Sequence, residues 1–415
     1  MIWWLWLASP WNPAPGAASA AMNPPTPEVY LDACATSPPA PEVLEAMAQA
    51  HRQAWANPSS LHGFGLAAAD RLERDRQAIA QQLGCGRQEL VLLSGGSEAI
   101  HTALIGCANT LEPGRVLLSA VEHPASYAAA AAMGRRGWRS QLLPVDRRGV
   151  VDLKALQELL VPPTRLVSIL WGQSEVGTLQ PIASIGRLCR QAGVLLHVDA
   201  VQVVGHHPVD FSQLPVDLLS CAAHKLQGPR GVGALLVRQG LQLEPLIGGA
   251  QEGGRRGGTE PVALVAGFAA ALALARGRLA AHGGADPIGP LRDQLLETLV
   301  PLEGLRLSGP APHDPCGRLP HHISLLVADP DGRSLSGRRL VRELARRGYA
   351  VSSGSACTSG GASGASAVLL AMGYSPEEAA SGLRLSLGPW LSPADLAGLP
   401  AALEEACRSV SSAPG

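Results

Sequence analysis

Aromatic residues make up 4% of the 415-residue chain and charged residues only 16%, and the formal net charge is −1. That balance gives no argument for binding nucleic acid or a charged membrane surface. No Cys-x-x-Cys pair occurs among the eight cysteines and no secreted disulfide framework is visible, so seven of them read as thiols in a reducing compartment. Internal repeats are absent. Long hydrophobic runs are few. The opening Met1-Ile-Trp-Trp-Leu-Trp-Leu7 is too short to span a bilayer, and no basic residue precedes it. Gly16–Ala21 could imitate a signal-peptidase site; a mis-assigned start with Met22 as the true one, or a disordered extension, accounts for residues 1–22 more simply. The longest apolar stretch, Pro261 to Leu279, contains Arg276 and Arg278, and reads as a buried helix bridging two domains. What remains is a hydrophobic content of 46%, rich in Ala, Leu and Gly, as in a soluble, cytoplasmic globular protein.

From residue 23 onward, short apolar runs alternate with helical patterns. Pro41 to Gln53 and Leu66 to Leu83 read as helices, and Glu89 to Ser94 as a short apolar run stopped by Gly95-Gly96. Strand-like runs recur at Arg115–Ser119, Arg139–Pro144, Arg165–Leu170, Val194–Val198, Asp217–Ser220 and Gly233–Val237. This rhythm predicts an α/β fold with a mostly parallel sheet covered on both faces. A large domain over residues 23–262 and a smaller C-terminal α/β domain over 263–415 are expected.

Two runs carry chemistry. An apolar strand ends in His197-Val-Asp199-Ala-Val-Gln202, and a second ends in Ala-His224-Lys225 followed by glycines. Pyridoxal phosphate needs an amine to hold its aldehyde as a Schiff base, and a carboxylate opposite its ring nitrogen. Lys225 and Asp199 suit those two posts. Gly96 and Ser97 open a helix after a glycine turn, where backbone N–H groups and the helix dipole favour a phosphate. In the second run, Val351–Gly364, one cysteine, Cys357, lies in a segment made almost wholly of Gly, Ser, Ala and Thr. Such composition offers no apolar anchor, so a packing role for this thiol is disfavoured and a nucleophilic one favoured.

From about Tyr30 to Gly388 the chain resembles the cysteine desulfurases, within the class V group of pyridoxal-phosphate-dependent aminotransferases. Tyr30–Thr36, Asn57–Gly63, Ser94–Glu98, Glu122-His123, Glu175–Ile182, the Asp199 and Lys225 segments, Gly248–Glu260, the Cys357 segment and Leu383–Gly388 appear in family order. The resemblance implies a fold-type I transferase with a seven-stranded sheet. It also implies a phosphate cradle at Gly96 and Ser97 with His224 beside it, ring stacking by His123, and a hydrogen bond from Gln202 to the phenolic oxygen. Ser174 stands where relatives carry an Asn beside the ring. Thr259 matches a residue that reaches the partner subunit's phosphate, so a homodimer is implied, and Arg384 matches the clamp for the carboxylate of L-cysteine. Lys225, His123 and Cys357 would be catalytic, with a persulfide formed on Cys357 and passed to a sulfur acceptor such as an iron–sulfur scaffold protein. No metal is implied. Departures are Ala33, Ile100-His101, Ser174 and Ala222, of which Ala222 lacks a hydroxyl that adds a phosphate hydrogen bond in relatives. A selenocysteine lyase, a class V aminotransferase and a non-catalytic scaffold of the same fold remain as alternatives.

Overall fold

The computed structural model describes residues 29–354 and 364–412. The N-terminal stretch 1–22 and Cys357 therefore lie outside the described residues.

Seven strands form the main sheet: β2 (Leu90–Leu93), β3 (Arg115–Ser119), β4 (Arg139–Leu143), β5 (Thr164–Leu170), β6 (Leu195–Asp199), β7 (Leu218–Ala222) and β8 (Gly233–Val237). Their order is β2-β8-β7-β6-β5-β3-β4, and all run parallel except β8, which is antiparallel to both neighbours. Between them lie α3 (Gly96–Thr110), α4 (Pro124–Gly134), α5 (Leu153–Leu159) and α6 (Ile182–Ala192); α1 (Pro41–Gln53), α2 (Gly63–Leu83) and α7 (Val262–Ala281) complete the unit.

Successive strand residues point to opposite faces, and here both faces are dry. On β2, Leu90 and Leu92 join the core under α2, α6 and α7, while Val91 and Leu93 join the core under α3 and α4. Double coverage explains why the inner strands read as continuous apolar runs with no alternation, whereas the edge strand β4 is exposed at its first four residues. Each fully buried Leu or Phe contributes about 1.5–3 kcal/mol relative to exposure. The apolar helix α7 packs on α1 and α2 and places Val265 and Phe268 in the first core at 0% exposure. Its hydrophobicity is satisfied inside the protein.

A second core begins at α8 (Ile288–Leu299) and covers a three-stranded antiparallel sheet, β12-β10-β9, built from β9 (Leu305–Leu307), β10 (His322–Val327) and β12 (Gly382–Ser386). The helix α9 (Gly337–Arg346) and the C-terminal helix Leu399–Ser412 cover it. Two short strands, β1 (Val29–Tyr30) and β11 (Tyr349–Ala350), pair in parallel, and Leu31 is fully buried in the second core. The start of the described chain thus packs with the C-terminal unit, while α7 packs with the N-terminal one. This differs from a division at 262/263 because apolar complementarity, not sequence adjacency, assigns each segment to a core.

Candidate active site

Every strand of the main sheet that leads into the site does so at one edge: β2 into Gly96, β3 into His123, β5 into Ser174, β6 into Asp199 and β7 into Lys225. In open α/β sheets the carboxyl ends of parallel strands are where ligands bind. A cavity of about 570 Å³ occupies that edge. The expected residues Gly96, Ser97, His123, Ser174, Asp199, Gln202, His224, Lys225 and Arg384 all line it. Thr259 does not line this cavity and is exposed.

Lys225 projects from a short turn after β7, and its Nζ donates to the carbonyl oxygens of Cys34 (2.5 Å) and Ala35 (2.8 Å). Gln202 Nε2 donates to the same Cys34 carbonyl at 3.0 Å. Asp199 ends β6 with its carboxylate buried, and one oxygen accepts the Val201 N–H at 2.9 Å. Burial raises its pKa, opposed by that hydrogen bond and by the positive ends of His123 and Lys225. A buried acid of this kind is poised to share a proton with a nearby ring nitrogen. His123 caps α4: its Nδ1 accepts the Ala125 N–H at 3.1 Å, so a neutral ring carries its proton on Nε2. Burial lowers its pKa, with Asp199 pulling the other way. His224, held at 3.2 Å from Thr36 Oγ1, is lowered to about 4, first by burial and then by Lys225 and Arg230.

The opening turn of α3 makes the clearest cradle. Its N-cap, Gly95, supplies no side-chain hydrogen bond, so the first N–H groups of the helix are left for another acceptor. A Cβ on Gly96 would sit 2.7 Å from Val201 Cγ2, so only glycine lets the helix end approach this closely. An uncapped helix start, an amine, a buried acid and a neutral histidine together match the donor set that pyridoxal phosphate requires.

Across the cavity, Arg384 arrives on β12, 6% exposed. Its Nη2 donates to Asp32 Oδ1 at 2.7 Å and its Nη1 to the Ser174 carbonyl at 3.0 Å. Nε, although buried, has no hydrogen-bond partner among the described residues. Burial acts against the guanidinium charge, but Cys34, Asp32 and Glu175 more than offset it and its pKa is raised. A buried cation fixed by two contacts, with one donor unpaired, suits a carboxylate ligand.

Several contributors went unassigned from sequence. Glu122, 3% exposed, accepts from Ser119 Oγ (2.7 Å), Leu170 N (2.9 Å) and Ser126 Oγ (3.1 Å), tying the ends of β3 and β5 together under His123. Burial pushes its carboxyl up to about 8. Asp32 lay in a noticed motif without a role. Cys34 Sγ lies 3.3 Å from His321 Nε2, whose ring stacks on His206 at 3.7 Å, and His206 pairs with Asp286 at 2.7 Å. A further signal was available and unused: Lys154 and Lys225 are the only lysines in the chain.

Residues 29–399 match the aminotransferase class-V family. The chain is 37% identical over 373 residues to the cysteine desulfurase IscS of Dictyoglomus turgidum, covering 89% of this chain and 92% of that one. It is 39% identical over 374 residues to a cysteine desulfurase of Cereibacter sphaeroides, with the same two coverages, 89% and 92%. Among solved structures, a NifS-like protein superposes with a TM-score of 0.82 at 32% identity, covering 92% of this chain and 99% of its own. SspA in complex with cysteine follows at 0.74 and 29%, covering 88% and 99%. The chain belongs to the class-V aminotransferase family. Within that family it belongs with the cysteine desulfurases.

Proposed function

We propose that this protein is a pyridoxal-phosphate-dependent cysteine desulfurase that takes L-cysteine, releases L-alanine and carries the sulfur as a persulfide on Cys357. The observation that carries the reading is one cavity lined by Lys225, by Asp199 with its buried carboxyl and by Arg384, whose buried Nε is unpaired. Bound there, pyridoxal phosphate would supply an aldehyde that condenses with amines and a ring that takes up electron density from the adjoining carbon.

The protein's own residues do the rest. The N–H groups at the start of α3, with Ser97 and His224, hold the phosphate. Asp199 keeps a proton on the ring nitrogen, and Gln202 bonds the phenolic oxygen. Arg384 binds the cysteine carboxylate through Nε while Asp32 and the Ser174 carbonyl keep the guanidinium from turning. Lys225 Nζ would remove the proton at the substrate α-carbon and hold it for return. Cys357 then attacks the substrate sulfur: the S–S bond forms as the C–S bond breaks, and the electron pair stays on the substrate carbon, which is protonated on the way to alanine. A thiolate of the sulfur acceptor then attacks the outer sulfur of that persulfide; a new S–S bond forms, the bond to Cys357 breaks, and Cys357 leaves as its thiolate.

Exposed Trp55, Leu61, Phe64 and Leu66 cluster around one segment, with Leu61 90% accessible and the Trp55 and Phe64 rings 5.5 Å apart. An apolar patch of that kind supports a homodimer, with Thr259 serving the partner's site. All seven described cysteines are free, which supports a reducing cytoplasmic setting. The test is incubation with L-cysteine followed by mass spectrometry: a persulfide on Cys357 and stoichiometric alanine are expected, and Cys357→Ser should give neither. A persulfide on another cysteine with activity retained overturns the assignment.

A further inference from the structure

Beyond the catalytic cavity, charge is distributed unevenly. The whole chain carries −1, yet residues 331–347 hold six arginines against Asp331 and Glu343, a local excess of four positive charges. Helix α9 organises them. Gly337, Leu340 and Leu344 face the second core, while Arg338, Arg342 and Arg346, spaced i, i+4 and i+8, line its exposed side. Arg346 is 72% accessible even while paired with Glu343, and among the described residues Arg339 and Arg342 have no acidic partner. The stripe sits at the exit of the catalytic segment. Gly354, the described residue before that segment, lines the cavity, and Gly364, after it, lies against Arg338, with a Cβ there 3.7 Å from the guanidinium carbon.

We infer that the arginine face of α9 is the docking surface for the sulfur acceptor, and that this acceptor presents an acidic protein surface around its receiving cysteine. The inference rests on the desulfurase reading. The apolar side of α9 is already buried, which leaves no face to enter a lipid bilayer. Separate carboxylate side chains on a folded protein can pair with individual arginines along the stripe. Such a surface acts chiefly on encounter rate and partner choice, and salt screens it.

The probe is a pair of short synthetic peptides, each with one cysteine, one rich in Glu and Asp and the other in Gln and Asn. Holoenzyme charged with cysteine should transfer sulfur to the acidic peptide about tenfold faster at low salt, with the preference gone near 0.5 M salt. Fluorescence anisotropy of the labelled acidic peptide gives a binding readout independent of turnover. Arg342→Glu with Arg346→Glu should abolish both the preference and the binding, the paired Gln substitutions should halve the effect, and Arg190→Glu on α6 should leave it intact. Sulfide release to a small neutral thiol reports the desulfurase reading itself: if it is absent in wild type, that reading fails. Normal sulfide release with no preference for the acidic peptide, or tighter binding of duplex DNA than of peptide, overturns the docking surface alone.

Discussion

The two walls of the catalytic cavity are built in different ways. The wall that would hold the cofactor comes from strand ends of one sheet, so each functional residue follows directly on an apolar run: Asp199 ends β6, Lys225 follows β7, and Gly96 opens the helix after β2. The wall that would hold the substrate carboxylate is assembled from three distant places. Arg384 on β12 meets Asp32, 352 residues away, and the Ser174 carbonyl, 210 residues away. A rigid sheet sets the first wall. The second depends on how two cores sit against each other, and its key contacts include a backbone carbonyl that no side chain encodes. Function that reuses strand ends is local in sequence; function that spans cores is not.

The sharpest way to break the comparison is at Lys225. Lys225→Ala should remove general-base catalysis, a loss of about 10²–10⁴-fold, while the protein stays folded. Borohydride reduction with the cofactor should label Lys225 in wild type and nothing in the variant. Labelling of Lys154, the other lysine, with activity kept would refute the assignment.

At the opposite wall the expected loss is smaller and falls mainly on substrate capture. Arg384→Gln removes a charge-assisted contact to the carboxylate, which is worth about 1.5–3 kcal/mol, or some ten- to a hundredfold in kcat/KM for cysteine. Cysteamine, which lacks the carboxylate, should bind both forms alike. Equal discrimination against cysteamine in wild type and variant would place the carboxylate elsewhere.

Ala222 sharpens the cofactor side. Its methyl lies at the end of β7, 3.8 Å from where a Gly96 Cβ would be, beside the helix start that would cradle the phosphate. Ala222→Ser should therefore tighten cofactor retention by roughly tenfold, less if water already bridges the gap. Equilibrium dialysis of the two forms decides it, and identical affinities would show that another group fills the position.

The smallest effect is expected at Glu122. Its folded pKa, raised to about 8 by burial, lies above its ordinary value near 4.5. The stabilisation of the protonated carboxyl is thus full below about 4.5 and is lost as pH rises toward 8. Glu122→Gln keeps the contacts to Ser119, Leu170 and Ser126 but cannot ionise. Thermal melts should show wild-type stability falling across that window and a flatter profile in the variant; parallel profiles would mean the acid ionises freely.

Much of this was legible in the residues. Pro41–Gln53 is a helix with the boundaries its pattern predicts, and Arg115–Ser119 and Gly233–Val237 are strands as read. Lys225 and Asp199 were recognisable because an acid and an amine ending apolar strands have few other uses. Glu122 stood beside His123 in plain view, yet nothing in its neighbours signals burial beneath that histidine. Asp32, Cys34 and His321 could not be read as a group, since their partners lie hundreds of positions away.

Sequence by itself determined the layered α/β plan, because a strand buried on both faces must be apolar at every position and helices must alternate with it. It also pointed to an amine and an acid, Lys225 and Asp199, at the ends of apolar strands, and both line the same cavity. Only the tertiary structure decided that β1 belongs with the C-terminal core, that Arg384 is held by Asp32 and a carbonyl with Nε left over, and that an arginine stripe lies beside Gly364. Those outcomes depend on which surfaces fit together once the chain has collapsed, and packing of that kind leaves no periodic mark on the residues that take part.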